Sequence, residues 1–259
     1  MTGVLVTGAT GFIGSAIVRR LVAGGNDVVA PTRSELDLLA ASERELAQFV
    51  ERASVSYCIH AAWYTNHADY LTHEVNREWL AASLRLVRAC EGLRFVGLGT
   101  CLEPDTLYAR SKLDLAIGLG DYGANFAWAR VFFVYGPGDR PGRLIPEMIE
   151  RFGRGERAGP TFGGLRRDYI HVDDLADQIV RIANSNVQGP FDTGTGQAPT
   201  LSEIYAAAAA AFGRPELARA NCETGGQPRL IQADLARFRH LVGEPQARSI
   251  VDGLRDMIR

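Results

Sequence analysis

The strongest constraint on this chain lies near its start. Thr7-Gly8-Ala9-Thr10-Gly11-Phe12-Ile13-Gly14 follows the apolar run Val4-Leu5-Val6 and opens a segment with Ile13, Ile17 and Leu21 at helical spacing. A strand that passes into a helix over glycines at these intervals is the pattern of a diphosphate cradle. Gly8 permits the tight turn, Gly11 lets backbone approach a pyrophosphate, and Gly14 lets helix and strand pack closely. The anion then sits on free amides at a helix N-terminus.

Further strand-like runs occur at 27–30, 57–60, 94–98 and 127–133, and helical spacing marks Glu43 to Arg52, Val75 to Cys90 and Tyr108 to Leu119. Strict alternation predicts right-handed crossovers and an α/β fold, a Rossmann-type doubly wound parallel sheet covered on both faces. After Tyr135 the texture changes, with Gly136-Pro137-Gly138 and Pro141-Gly142 marking loops. The 259 residues accommodate a dinucleotide-binding domain at 1–135, with 168–190 returning to it through a helix from Asp173 to Ala183. Segments 136–167 and 191–259 are expected to form a smaller C-terminal substrate-binding lobe, with an alanine-rich helix from Leu201 to Phe212.

Charge and composition exclude other classes. A net charge of −2 offers no global attraction to nucleic acid or anionic lipid, and no apolar run approaches the roughly 18 residues of a membrane span. Met1-Thr2-Gly3 leads directly into the first strand without the regions of a secretory signal, so a cytoplasmic location is expected. Cys58, Cys90, Cys101 and Cys222 lack Cys-x-x-Cys spacing and the histidines lack ligand spacing, so neither disulfides nor a metal are expected. All but one of the 28 basic residues are arginine, and the exception is Lys112. That pattern points to a position needing a compact, multi-donor ammonium that a planar guanidinium does not replace.

Tyr108 stands four residues before Lys112, on the same helical face. An ammonium beside the phenol would stabilise phenolate and lower a pKa of about 10, making Tyr108 a usable proton donor or acceptor. The second strand ends in Val29-Ala30-Pro31-Thr32-Arg33-Ser34, with no acid there to accept from ribose hydroxyls. Arg33 and its neighbouring hydroxyls suit a 2′-phosphate, which favours NADP and leaves NAD open.

Four segments taken together, the TGATGFIG loop, Tyr108-Ala109-Arg110-Ser111-Lys112, Arg130 to Tyr135-Gly136-Pro137, and Arg167-Asp168-Tyr169-Ile170-His171-Val172-Asp173-Asp174, carry a family resemblance. The chain resembles, over its whole length, the extended short-chain dehydrogenase/reductases of the nucleotide-sugar epimerase/dehydratase branch. The resemblance implies that Thr10, Phe12, Ile13, Asp37, Leu38, Ala61 and Ala62 line the cofactor site with the glycines, and that Lys112 holds the nicotinamide ribose. It assigns Thr100 to orient the substrate oxygen by hydrogen bonding. It places Arg143, Arg167 and Arg229 along the substrate nucleotide, where guanidinium forks suit phosphate oxygens. It also implies a homodimer and a structural side chain at His60.

Two departures narrow the activity. Nucleotide-sugar dehydratases carry an Asp-Glu pair after the threonine, whereas this chain has Cys101-Leu102 with Glu103 one position late, so dehydration is not expected. Only eight positions separate Thr100 from Tyr108, shorter than in relatives, which implies either an open flank or a missing mobile segment. The expected activity is NADP-dependent reduction of a nucleotide-linked keto-sugar. An epimerase working through a transient keto intermediate is the alternative. A cofactor-sensing regulatory protein is a third reading, disfavoured by the intact Tyr108 and Lys112.

Overall fold

The computed structural model describes residues 3–219 and 230–258, so Cys222 and Arg229 lie outside the described residues. The strands β1 (Gly3–Thr7), β2 (Asp27–Val29), β3 (Tyr57–His60), β4 (Arg94–Leu98), β5 (Phe126–Val131) and β9 (Gly189–Thr193) form one parallel sheet in the order β2-β1-β3-β4-β5-β9. Every residue of β1 and β3 is buried, which is why these strands read as continuous runs rather than as alternation. One face is covered by α1 (Phe12–Ala23) and α6 (Val172–Ala183), the other by α2 (Glu43–Ala53), α3 (Val75–Ala89) and α4 (Leu107–Asp121). The chain winds outward from β1 in both directions, so a crevice opens at the carboxyl ends of β1 and β3.

The expected strand over 127–133 divides. β5 ends at Val131, and β6 (Phe133–Tyr135) pairs instead with β8 (Tyr169–His171). The reason is a change of acceptor, since the Phe133 amide donates to the Asp168 carbonyl at 3.1 Å and leaves the main sheet. A second core joins α5 (Leu144–Gly153), α7 (Leu201–Ala211) and α9 (Ile250–Ile258) through Met148, Phe152, Ile204 and Leu254. Beside it β7 (Arg166–Arg167) pairs with β10 (Leu230–Ile231).

The range 191–259, expected to lie wholly in the smaller lobe, is shared between the two cores. β9 runs across residue 190 and stays in the main sheet to Thr193, and Phe238 of α8 (Ala236–Val242) is fully buried in the sheet-side core. Asp168 ties these pieces together. Its carboxylate accepts from the Thr195 amide (2.9 Å), the Thr195 hydroxyl (2.7 Å), the Gly196 amide (2.9 Å) and the Ala233 amide (3.2 Å).

Candidate active site

The glycine loop is shaped by backbone that comes too close for side chains. Gly8 has φ +71°, and a Cβ on it would lie 2.6 Å from the Ala62 amide nitrogen at the end of β3. A Cβ on Gly14 would strike the Gly8 carbonyl, so α1 can pack onto β1 only with glycine there. Ser42, Thr106 and Thr200 cap α2, α4 and α7 with side-chain oxygens, whereas Gly11 begins α1 with no side-chain cap and no acid in its first turn. The first-turn amides and helix dipole are therefore left for an anion supplied from outside the chain. This fits a dinucleotide diphosphate.

A cleft of about 410 Å³ opens over this loop, within the size range of small-molecule sites. It collects Gly8, Thr10, Gly11, Phe12, Ile13 and Gly14 with Arg33, Asp37 and Leu38, and it continues past Ala61 and Ala62 to Thr100, Tyr108, Lys112 and Arg143. Residues dispersed over more than 130 positions of sequence thus share one wall, because the sheet order brings the ends of β1, β3 and β4 together.

Thr100 is held by an extension of the sheet. The Gly99 amide donates to the Ala129 carbonyl (2.7 Å) and the Cys101 amide to the Val131 carbonyl (2.9 Å), so the β4–β5 ladder continues through Thr100. The Trp128 indole lies where a side chain on Gly99 would have to go, which keeps this backbone flat against β5. Thr100 and Tyr108 line the same stretch of the cleft, close enough for the threonine to act on the ionisation of the phenol. Cys101 beside it is no acid or base, since burial pushes its thiol up to about 12.

Lys112 is 4% exposed; its Nζ donates to the Leu98 carbonyl at 2.8 Å and lies 3.8 Å from the Trp63 ring centroid. Burial lowers its pKa to about 7. The phenol of Tyr108 is raised above its ordinary value, chiefly by burial, with the nearby Thr100 hydroxyl acting in the opposite sense. The expected lowering by Lys112 is therefore not what the fold produces. The ammonium is turned toward the Leu98 carbonyl and the indole face, and burial favours the protonated phenol. His60 is structural: its imidazole lies between the Thr7 hydroxyl (2.7 Å) and the Ser83 hydroxyl (2.8 Å), and burial, aided by the Lys112 charge, pushes its pKa down to about 3.

The flank beside the short Thr100–Tyr108 loop is filled from elsewhere. The Tyr108 amide donates to the Leu71 carbonyl (3.0 Å), and the Tyr70 and Trp63 rings meet the Tyr108 ring edge-on at 5.1 and 6.4 Å. Arg140 donates to the Thr65 carbonyl (3.1 Å), tying the loop after β6 to the same segment. Sequence reasoning missed Trp63 and Tyr70, although the aromatic run Trp63-Tyr64 directly after the third strand was a visible signal. Of the three substrate arginines, Arg143 lines the cleft with its Nη1 3.6 Å from Asp139. Arg167 stands behind the lining, stacked 4.8 Å over Phe133, and Arg229 lies outside the described residues.

Comparison with known proteins agrees with this geometry. Residues 4–193 match the profile of the NAD dependent epimerase/dehydratase family. The chain belongs to that family. Among similar proteins, the dTDP-4-dehydro-6-deoxy-D-allose reductase of Streptomyces bikiniensis is 27% identical over 301 aligned positions, covering 94% of this chain and 91% of the relative. The UDP-glucose 4-epimerase of Mycolicibacterium smegmatis is 26% identical, covering 96% and 95%. The UDP-N-acetylglucosamine 4-epimerase structure from Methanobrevibacter ruminantium superposes with a TM-score of 0.84 at 21% identity, over 99% of this chain and 97% of that one. The family member described here is thus an NAD(P)-dependent enzyme with the fold of its relatives.

Proposed function

We propose that this enzyme reduces a nucleotide-linked keto-sugar with NADPH. The observation that carries the reading is that Tyr108, whose phenol burial raises above its ordinary pKa, and Thr100 line the same cleft as an uncapped glycine loop. A bound dihydronicotinamide supplies the hydride. Thr100 donates to the carbonyl oxygen, Tyr108 gives its proton to that oxygen as negative charge develops, and Lys112 holds the ribose hydroxyls. Arg143, which lines the cleft, serves the nucleotide phosphates, Arg167 would have to leave its stack on Phe133 to join it, Arg229 is expected there from the family resemblance, and relatives named for dTDP- and UDP-sugars support that substrate class.

An epimerase would first need a base to take a proton from a sugar hydroxyl, and burial of Tyr108 disfavours the phenolate. The reductase reading predicts stoichiometric consumption of NADPH with a nucleotide-linked keto-sugar, read as falling absorbance of the reduced nicotinamide, in a protein purified with little bound dinucleotide. Tightly held oxidised cofactor and interconversion of two sugars without net NADPH loss would establish the epimerase instead.

The choice of NADPH rests on Arg33. Its Nε donates to Asp37 at 3.1 Å in an exposed pair, with side chains 74% and 37% exposed, which contributes little and leaves the guanidinium free to engage a 2′-phosphate. Arg33→Ala should weaken NADPH binding by about 10- to 100-fold, the loss of a charged hydrogen-bonded contact, and leave NADH nearly unchanged. Fluorescence titration checks it, and an unchanged affinity ratio would remove Arg33 from the site. Leu113 and Ile117, 45% and 53% exposed and one turn apart on α4, support pairing of two copies into a homodimer. No helix among the described residues is long and apolar enough to cross a membrane, and a cytoplasmic location accords with the NADPH reading.

A further inference from the structure

We infer that Trp63 is a positioning residue whose indole face holds the Lys112 ammonium charged and aimed within the cleft. Its bearing on catalysis rests on the reductase reading above, in which Lys112 serves the cofactor ribose; the positioning itself can be measured without substrate or cofactor.

The geometry is built. The Lys112 Nζ lies 3.8 Å from the Trp63 ring centroid, well inside the distance at which a cation and an aromatic face attract. With one hydrogen given to the Leu98 carbonyl and another directed at the ring, one donor of the ammonium remains for a ligand. The ring is itself pinned. Its Nε1 donates to Asn76 Oδ1 at 2.8 Å, and the fully buried Asn76 spends both amide hydrogens on the Tyr70 and His73 carbonyls, each at 2.8 Å. Trp79 backs the indole at 6.2 Å between centroids. A satisfied amide at the base of the flank therefore sets the ring plane, and the ring plane sets the ammonium.

The groups facing Lys112 leave this task to the indole. On its own helix stands Tyr108, whose phenol is neutral; on β3 stands His60, held neutral between two hydroxyls. The end of β4 offers only the Leu98 carbonyl, since Phe95 to Leu98 carry no titratable side chain. On the flanking segment Tyr70 meets Tyr108, His67 stacks on Tyr70, and His73 and Asp69 pair with each other at 3.8 Å. Burial alone would bring the ammonium to about 7, low enough to weaken its hold on the proton near neutral pH. A desolvated indole face acts in the opposite sense.

Because Lys112 is the sole lysine, protein grown with lysine labelled at 13Cε shows a single side-chain resonance for the whole chain. Its titration in the free protein reads the ammonium directly. The Trp63→Leu variant should titrate about 0.5 to 1.5 pH units below the parent, the range of a cation–aromatic contact. The upfield displacement of the lysine methylene caused by the ring should vanish with it, and Trp63→Phe should fall between. Parental midpoints and shifts in both variants would overturn the proposal; if the Leu variant does not fold, the Phe variant decides by the same criterion. A lowered midpoint in a protein that never oxidises NADPH would keep the positioning role and refute the reductase, whereas NADPH oxidation with unmoved midpoints would do the reverse.

Discussion

Tyr108→Phe should lower NADPH-dependent turnover by about 10²- to 10⁴-fold, the loss expected when a positioned general acid is removed. The substitution deletes one hydroxyl and little else. The ring still meets Trp63 and Tyr70 edge-on, the backbone amide still donates to the Leu71 carbonyl, and the helix is still capped by Thr106. Dinucleotide affinity should therefore stay near that of the parent, and the defect should lie in turnover at saturating substrate, equivalent to about 3 to 5 kcal/mol of transition-state stabilisation. Since burial holds the phenol above its ordinary range, the donor remains loaded through neutral and mildly alkaline pH. Steady-state rates of NADPH oxidation and a separate binding titration check both halves. Parental turnover in the Phe variant would show that the proton comes from elsewhere and would withdraw Tyr108 from the mechanism.

The second large effect is on stability. Asp168→Ala should cost about 3 to 5 kcal/mol, because it removes a fully buried ionic acceptor from four donors and leaves the part-buried Thr195 and Gly196 amides and the buried Ala233 amide without a partner. Those amides belong to two chain segments, the turn after β9 and the stretch leading from β10 to α8, which are also joined by hydrogen bonds from Gln232 Nε2 to the Gly196 carbonyl and from the Asp234 amide to Asp192. A loss of this size is a large fraction of the 5–15 kcal/mol typical of a folded domain. Asp168→Asn should lose less but still destabilise, since its amide nitrogen would face the Gly196 and Ala233 amides or the Thr195 amide and hydroxyl with a donor in place of an acceptor. Urea unfolding measures both, with the midpoint moving and the slope nearly constant. A cost below about 1 kcal/mol for the Ala variant would mean that water replaces the carboxylate and that Asp168 does not clamp the two segments.

The first strand, the glycine loop and the helix after it were legible because each is local: the backbone conformation at Gly8 and the close approach at Gly14 admit only glycine, and the helical period follows within a few residues. The same holds for the placement of Tyr108 and Lys112, which one helical turn brings together, whereas Thr100 was named through the family resemblance. What lay beyond the sequence depends on contacts between distant segments. Nothing near Phe132 announces that β6 will abandon the main sheet, because its partner β8 lies more than 30 residues on. The electrostatics of the site were likewise decided by packing. Four-residue spacing predicts an ammonium that acidifies the phenol, but the direction of a charge depends on what surrounds it, and here a carbonyl from β4 and an indole from the segment after β3 take the ammonium while burial holds the proton on Tyr108. Helical spacing brings two residues to one face, but only the tertiary structure sets the dielectric and the partners that determine how each ionises.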